Sequence, residues 1–368
     1  MRFECRRDDL AAGVQTAQKA VSSRTTLPIL TGILLEEKNG KLRCVGTDLE
    51  LSIETYIPAQ IQEPGSLLLP ARYISDIVRK LPEDHAVIET SETYVATLSS
   101  GRAIFKINGM DPSEFPIFPV IDEGIRFSIK GGTLKNLIKY TSFAAALEET
   151  RAFLTGVLFD VSSRGINMVA TDTFRLALKR EECAIELEGE KRVIVPARAL
   201  NEVMRLIREN DETVEVVLGE NQIAFMLGST TVVSRLIEGQ FPNYVQVIPK
   251  GYKTRLFVEP DKLLAAVERA SLVGKDEFGT VKLVAGGDTL MIKANSPDVG
   301  QAFEEIAASK EGEDGEIALR SRYLTDMLKV VDGDKISIEL TGTISPACLR
   351  KDGSDDYIYL IMPVTNIG

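Results

Sequence analysis

Short runs in which apolar and polar residues alternate recur along the whole chain. Leu51-Ser52-Ile53-Glu54-Thr55, Val214-Glu215-Val216-Val217-Leu218 and Ile336-Ser337-Ile338-Glu339-Leu340 are examples, as are Val87-Ile88-Glu89-Thr90 and the apolar Ile33-Leu34-Leu35. A period of two bounded by turn residues predicts short strands with a buried face. Other stretches space their apolar residues at helical intervals: residues 8–20, 72–80, 133–145, 197–208, 261–270 and 320–330. Pro70 and Pro196 stand where two of these begin, a position that costs proline no donor.

These patterns come three times in the same order, the mark of an internal repeat. Met1-Arg2-Phe3-Glu4-Cys5 with Leu10, Ile125-Arg126-Phe127-Ser128-Ile129 with Leu134, and Thr254-Arg255-Leu256-Phe257-Val258 with Leu263 open the copies. Leu69-Pro70-Ala71-Arg72 returns as Val195-Pro196-Ala197-Arg198 and, without its proline, as Leu319-Arg320-Ser321-Arg322. Gly46-Thr47-Asp48 returns as Ala170-Thr171-Asp172, and Phe115-Pro116 as Phe241-Pro242. Each copy holds two predicted helices and about eight strands. The expected fold is α+β: three repeated domains, at residues 1–122, 123–251 and 252–368, each with two helices packed on antiparallel sheet.

The net charge is -11, from 43 Lys and Arg against 54 Asp and Glu. As a sum this argues against a nucleic-acid partner, since phosphate binding needs a basic footprint. The distribution changes the picture. The predicted helices hold fourteen Lys and Arg and seven Asp and Glu, so they carry +7 and the remainder carries -18. If the helices face one way, that surface attracts phosphate. Lys19, Arg72, Arg79, Lys80, Lys135, Lys139, Arg198, Arg205, Lys262, Arg269, Arg322 and Lys329 are the candidates. The alternative is that Lys and Arg simply suit solvated helix faces. With no zinc-finger spacing, basic zipper or ribonucleoprotein signature in the chain, contact is expected with the nucleic-acid backbone, independent of base sequence.

Chemistry-bearing motifs are scarce. The single histidine, His85, follows Leu81-Pro82-Glu83-Asp84 and reads as a surface turn residue. No glycine-rich phosphate loop, dinucleotide fingerprint or nucleophile elbow occurs. Cys5, Cys44, Cys183 and Cys348 are too scattered for a zinc site and are expected to be reduced, mostly buried thiols. The acid pairs Asp8-Asp9, Glu36-Glu37 and Asp355-Asp356 are expected to be solvated rather than metal ligands. No metal, cofactor or catalysis is expected. There is no apolar run of about 18 residues, and the first nine residues lack the apolar core of a secretory signal, so a cytoplasmic protein without a membrane partner is expected.

Ser23-Arg24-Thr25-Thr26-Leu27-Pro28-Ile29-Leu30, Gly46-Thr47-Asp48-Leu49-Glu50, Val169-Ala170-Thr171-Asp172-Thr173-Phe174-Arg175-Leu176-Ala177, Phe241-Pro242-Asn243-Tyr244 and the tail Met362-Pro363 resemble, in order and over the whole length, the sliding-clamp family, the β subunits of bacterial DNA polymerase III. The resemblance implies a non-catalytic processivity factor. It implies a head-to-tail homodimer of six domains, whose twelve helices line a hole around duplex DNA. Helices spaced roughly 10 Å apart would leave an opening of roughly 28 Å once helix thickness is removed, room for a duplex. The implied partners are DNA of any sequence, the polymerase III α subunit, the clamp loader and other proteins carrying a clamp-binding motif.

Site residues follow from the same resemblance. Phe105 and Ile107 match an apolar edge strand that meets Leu272 and Val273, with Glu304 nearby, in the second protomer. Leu154, Thr171, Thr173, Phe174, Arg175, Leu176, Pro242, Val247, Pro346, Met362 and Pro363 match a pocket for short apolar peptide motifs. Arg24, Arg151 and Phe153 match loop positions that touch DNA, beside the helical Arg72, Arg79, Lys80, Lys135, Lys139, Arg198 and Arg205. Phe174 departs from the histidine frequent in relatives, and Val364-Thr365-Asn366-Ile367-Gly368 lacks a basic ending. Two other readings stay open at this stage: a repeat-built adaptor that never encircles DNA, and an enzyme whose site carries no motif.

Overall fold

The alternating runs pair as strands. In the computed structural model, which describes residues 1–22, 25–185, 189–274 and 279–365, Leu51–Ile57, His85–Thr90, Thr213–Leu218 and Ile336–Leu340 are all strands with buried faces. Among the described residues the strands form four antiparallel sheets. They lie in two compact units, Met1–Gly132 with Asn201–Leu236, and Thr133–Leu200 with Ile237–Gly368.

The first unit holds two sheets. One runs Gln60–Glu63, Arg2–Arg6, His85–Thr90, Val95–Ser100, Ala103–Asn108. The other has eight strands: Ile125–Lys130, Thr213–Leu218, Gln222–Leu227 and Thr230–Arg235 from the middle copy, then Leu51–Ile57, Lys41–Thr47, Gly32–Lys38 and Ser66–Pro70 from the first. The second unit repeats the plan. Its nine-stranded sheet joins Glu190–Pro196, Gly156–Ser162, Gly165–Thr171 and Arg175–Glu182 of the middle copy to Tyr357–Ile361, Ala347–Lys351, Ile336–Leu340, Thr254–Val258 and Ser309–Gly312 of the third. A four-stranded sheet, Gly300–Ala307, Thr289–Ser296, Thr280–Gly286, Gly315–Arg320, completes it.

Packing therefore divides the chain differently from repetition. The cause is main-chain pairing across the copy boundaries. Thr230–Arg235 pairs with Leu51–Ile57, putting Val232 opposite Ile53. Tyr357–Ile361 pairs with Arg175–Glu182, putting Tyr359 opposite Ala177. Side chains seal both joints: the Thr55 and Thr230 hydroxyls lie 2.8 Å apart in the interior, and Lys179 is ion-paired with Asp356.

Six α-helices lie among the described residues: α1 Arg7–Gln18, α2 Ala71–Val78, α3 Gly131–Lys139, α4 Ala197–Leu206, α5 Pro260–Ser271 and α6 Ser321–Leu328. Leu10, Val14 and Ala17 form the buried stripe of α1, and Leu263, Ala266, Val267 and Ala270 that of α5, the spacing expected of a helix lying on a sheet. α1 packs on α2 and α5 on α6. Gly13 permits the close approach of α1, since a Cβ there would stand 3.0 Å from Cys44 Sγ and Ile57 Cγ2.

Three expectations are corrected. The helix expected over 133–145 stops at Lys139, and only a single 3-10 turn, Ser142–Ala144, follows. There the Thr141 hydroxyl donates to Leu137 O at 2.6 Å, a local bond that competes with helix continuation. Tyr140 is buried against Tyr357 at 4.7 Å, with its hydroxyl accepting from Asp332 N at 3.1 Å. His85 opens a strand instead of sitting in a turn, because its backbone pairs with Arg6; its side chain stays exposed, 3.4 Å from Glu4. Glu36 and Asp356 are partly buried against cations, whereas Asp8 and Asp355 stay in solvent as expected even while paired with Arg7 and Arg350. Glu36 and Glu54 grip Arg43, which pairing sets opposite Glu36, while Asp355 and Asp356 hold Arg350 and Lys179. No acid, histidine or cysteine cluster able to hold a metal occurs among the described residues, and no helix among them is long and apolar enough to cross a membrane. Cys5, Cys44 and Cys348 are buried and Cys183 is partly so.

Candidate functional site

The turn between Gly165–Thr171 and Arg175–Glu182 is locked by its own side chains. Asp172 Oδ1 accepts from the backbone N–H groups of Phe174 and Arg175, both at 3.0 Å. Thr171 donates its hydroxyl to Arg175 O at 2.6 Å and accepts from Thr173 N at 3.1 Å. Thr173 sits at φ 79°, in left-handed backbone that these bonds stabilise. Met362 N then donates to Phe174 O at 2.8 Å, tying the end of the third copy to the turn.

Arg175 is committed to structure. Its Nε donates to Asp172 at 3.1 Å, Nη1 to Asp326 at 2.6 Å and Nη2 to Phe143 O at 2.8 Å. The guanidinium also lies 4.6 Å from the centre of the Tyr323 ring, a favourable cation–π distance. Burial opposes its charge, but neighbouring Tyr359 and the Asp326 and Asp172 carboxylates outweigh burial and hold its pKa above the ordinary range.

Above this framework lies an apolar cavity of about 170 Å³. That is below the roughly 300 Å³ at which drug-sized pockets begin, and suits one or two side chains of a peptide. Nine of the eleven expected residues line it: Thr171, Thr173, Phe174, Arg175, Leu176, Pro242, Val247, Pro346 and Met362. Leu154 and Pro363 lie outside the lining; Leu154 is a core residue at 2% exposure. Asn243, Tyr244 and Leu360 line it unforeseen. Pairing sets Leu360 beside Leu176. Phe174, Val247 and Met362 expose 49%, 52% and 42% of their surface around the opening, and the Arg320 guanidinium lies 5.0 Å from the Phe174 ring centre.

The cations expected to meet DNA concentrate at helix ends. With the observed bounds the helices hold nine Lys and Arg against seven Asp and Glu. Lys19, Arg79 and Lys329 are C-caps of α1, α2 and α6, while Lys139, Arg205 and Arg269 occupy last turns of α3, α4 and α5. Each helix thus sets a cation against the negative end of its dipole. Arg79 also pairs with Asp76 at 2.6 Å and Arg205 with Glu202. Glu202 approaches Lys19 at 3.9 Å too, and burial leads the lowering of the Lys19 pKa. Arg72, Lys80, Arg198 and Arg151 are exposed; Lys135 and Phe153 are half-buried. Arg24 lies outside the described residues.

Among the strands that end a sheet among the described residues are Ala103–Asn108, at one margin of the five-stranded sheet, and Gly300–Ala307, at one margin of the four-stranded sheet. Ile107 belongs to the core at 7% exposure and Phe105 packs partly against it. The outward apolar residue of the first edge is Ile104, at 65%. On the other edge Phe303 is 59% exposed and Glu304 is gripped by Arg269 at 2.7 Å. Beyond α5, Leu272 is 67% exposed.

Family models for the N-terminal, central and C-terminal domains of the DNA polymerase III beta subunit match residues 1–119, 128–243 and 245–365. The beta sliding clamp of Bacillus subtilis (strain 168) is 37% identical over 375 residues, 99% of each chain. The crystal structure of the Bacillus subtilis DNA polymerase sliding clamp matches all of both chains with a TM-score of 0.94 and 36% identity. A Pseudomonas aeruginosa sliding clamp bound to griselimycin matches equally fully, with a TM-score of 0.94 and 31% identity. On this threefold match and the likeness of fold, the chain belongs to the DNA polymerase III β subunit family, the non-catalytic DNA sliding clamps.

Proposed function

We propose that two copies of this chain join head to tail into a closed ring that holds duplex DNA by being threaded on it. One observation carries the reading: the last strand of the middle copy pairs with a strand of the first, and the last strand of the third pairs with the equivalent strand of the middle. The same rule leaves Ala103–Asn108 and Gly300–Ala307 seeking each other in a second copy. Followed from strand to strand, the pairings make Phe105, Val232 and Tyr359 equivalent, and likewise Ala302, Ile53 and Ala177. Repetition then sets Phe105 opposite the partner's Ala302 and Ile104 opposite the partner's Phe303. Val232 and Tyr359 are fully buried at the internal joints, whereas Phe105 is only partly covered. Burying the exposed apolar Ile104, Phe303 and Leu272, with the half-buried Val273, supplies the drive to close.

In this reading residues 1–122, 123–251 and 252–368 act as three clamp domains. The exposed Arg72, Arg79, Lys80, Arg198 and Arg205, with Lys135, Lys139, Arg24, Arg151 and Phe153, meet phosphates without reading bases, so the ring slides. The cavity beside Phe174 and Met362 takes the apolar anchors of linear motifs in the polymerase III α subunit, the clamp loader and other partners, in the cytoplasm. The test is topological. Loaded onto a closed circular duplex, the protein should remain bound through gel filtration at moderate salt and leave when a single cut linearises the circle. Equal retention on both forms would reject encirclement and favour the adaptor reading.

A further inference from the structure

The turn that builds the cavity has a duplicate at the joint between the first and middle copies. Asp48 Oδ1 accepts from Glu50 N and Leu51 N at 3.1 and 2.8 Å, as Asp172 Oδ1 accepts from Phe174 N and Arg175 N. Thr47 Oγ1 accepts from Leu49 N at 3.0 Å, as Thr171 accepts from Thr173 N. Leu49 and Thr173 share a left-handed backbone, φ 76° and 79°. Arg235 N donates to Glu50 O at 2.9 Å, as Met362 N donates to Phe174 O. The joints also share their register: Thr230 opposite Thr55 corresponds to Tyr357 opposite Lys179.

The two backbones offer the same cradle and different side chains. Phe174, Leu176 and Met362 correspond to Glu50, Ser52 and Arg235. Glu50 and Arg235 pair with each other at 3.7 Å, both well exposed. Ser52 is buried, its hydroxyl 2.7 Å from that of Thr47. An apolar anchor entering here would strip water from a carboxylate and a guanidinium and gain little apolar contact in return. At the other joint it would meet Phe174, Leu176 and Met362.

We infer that the joint between the first and middle copies is a silenced duplicate of the peptide cavity, closed to apolar motifs by Glu50, Ser52 and Arg235, so that each chain offers one such site and the identities at positions 174, 176 and 362 decide which joint it is. This rests on the peptide-binding reading above. The probe is an eight-residue synthetic peptide with leucine and phenylalanine anchors, titrated into the full chain by calorimetry. One equivalent should bind per chain. Transplanting the charged pair, as Phe174→Glu with Met362→Arg, should weaken binding at least about 30-fold while the melting temperature holds, since both positions are half-exposed surface. Two equivalents per wild-type chain would overturn the inference and leave the peptide reading standing, whereas a transplanted variant that binds within threefold of wild type would overturn both. No binding at all by the wild type would overturn both.

Discussion

Replacing Arg175 with alanine tests how the second unit is held together. The guanidinium makes three hydrogen bonds, two of them to carboxylates, and links Asp172 and Phe143 of the middle copy to Asp326 of the third. The side chains of Arg175, Asp172 and Asp326 are only 7%, 14% and 28% exposed. Truncation leaves Asp172 without its cation and Asp326 with only the exposed Arg322 at 4.0 Å, close to the situation in which losing one partner of a buried pair costs about 3–5 kcal/mol. For a unit of this size that corresponds to a fall in Tm of roughly 6–20 °C. Arg175→Lys keeps the charge but cannot fork to three acceptors, so it should recover only part of the loss. Differential scanning calorimetry of the full chain is the assay, and the transition that shifts should be that of the unit containing residues 133–200 and 237–368. A shift smaller than about 3 °C for Arg175→Ala, corresponding to about 1 kcal/mol, would refute the argument that this residue fastens the joint.

Other outcomes follow from the same geometry. In a Cys183→Ser background, Ala103→Cys with Glu304→Cys should form an intermolecular disulfide under mild oxidation, because equivalent pairs at the internal joints lie directly opposite at a separation of about 4.5–5.5 Å, within disulfide reach; shifting the second cysteine to position 302 should lose most of the cross-linked dimer on a non-reducing gel. Met362→Ala and Leu176→Ala should each weaken peptide binding several-fold while leaving the sedimentation coefficient unchanged, and unchanged affinity in both would discard the cavity. Burial pushes the Asp356 carboxyl up, but hydrogen bonds from Lys179 and Ser354 more than offset it and leave its pKa below the usual 3.8. A depressed carboxylate pKa contributes stability in full above that ordinary value and loses it as pH falls through the folded one. The urea midpoint of Asp356→Asn should therefore trail wild type by its full margin above about pH 3.8, and the gap should narrow progressively as pH falls below that value; a gap that stays constant on acidification from pH 7 would assign the effect to something other than this carboxylate.

The repeat was legible because it recurs in local chemistry: the Pro-Ala-Arg helix starts, the Thr-Asp turns and the alternating strands each depend on a few adjacent residues. Nine cavity residues could be placed through the resemblance to the sliding-clamp family; seven of them fall in one such turn and in the segment that follows Phe241, while Pro346 and Met362 stand apart in the sequence. Leu360 could not, because it reaches the cavity by pairing with Leu176, 184 positions away in the numbering, and no local pattern encodes that register. The shared sheets were hidden for the same reason, since Thr230–Arg235 and Tyr357–Ile361 read as ordinary strands whichever neighbour they take. The early end of α3 escaped notice because Tyr140-Thr141-Ser142 fits a helical spacing; the competing hydroxyl bond and the burial of Tyr140 are tertiary. Basic helix ends were visible, but their pairing with Asp76, Glu202, Glu268 and Glu304 was not.

The offset between repeat and compact unit limits how the chain can be cut. Excising residues 123–251 would expose Thr230–Arg235 and Arg175–Glu182 as two raw sheet margins, each deprived of its main-chain neighbour. Such a fragment would stick to others of its kind sooner than stand alone. Tolerant places for a tag or an inserted sequence are the tips of hairpins that pair within one copy, such as Asn39 and Gly40 between Gly32–Lys38 and Lys41–Thr47, where lengthening the loop disturbs no shared seam.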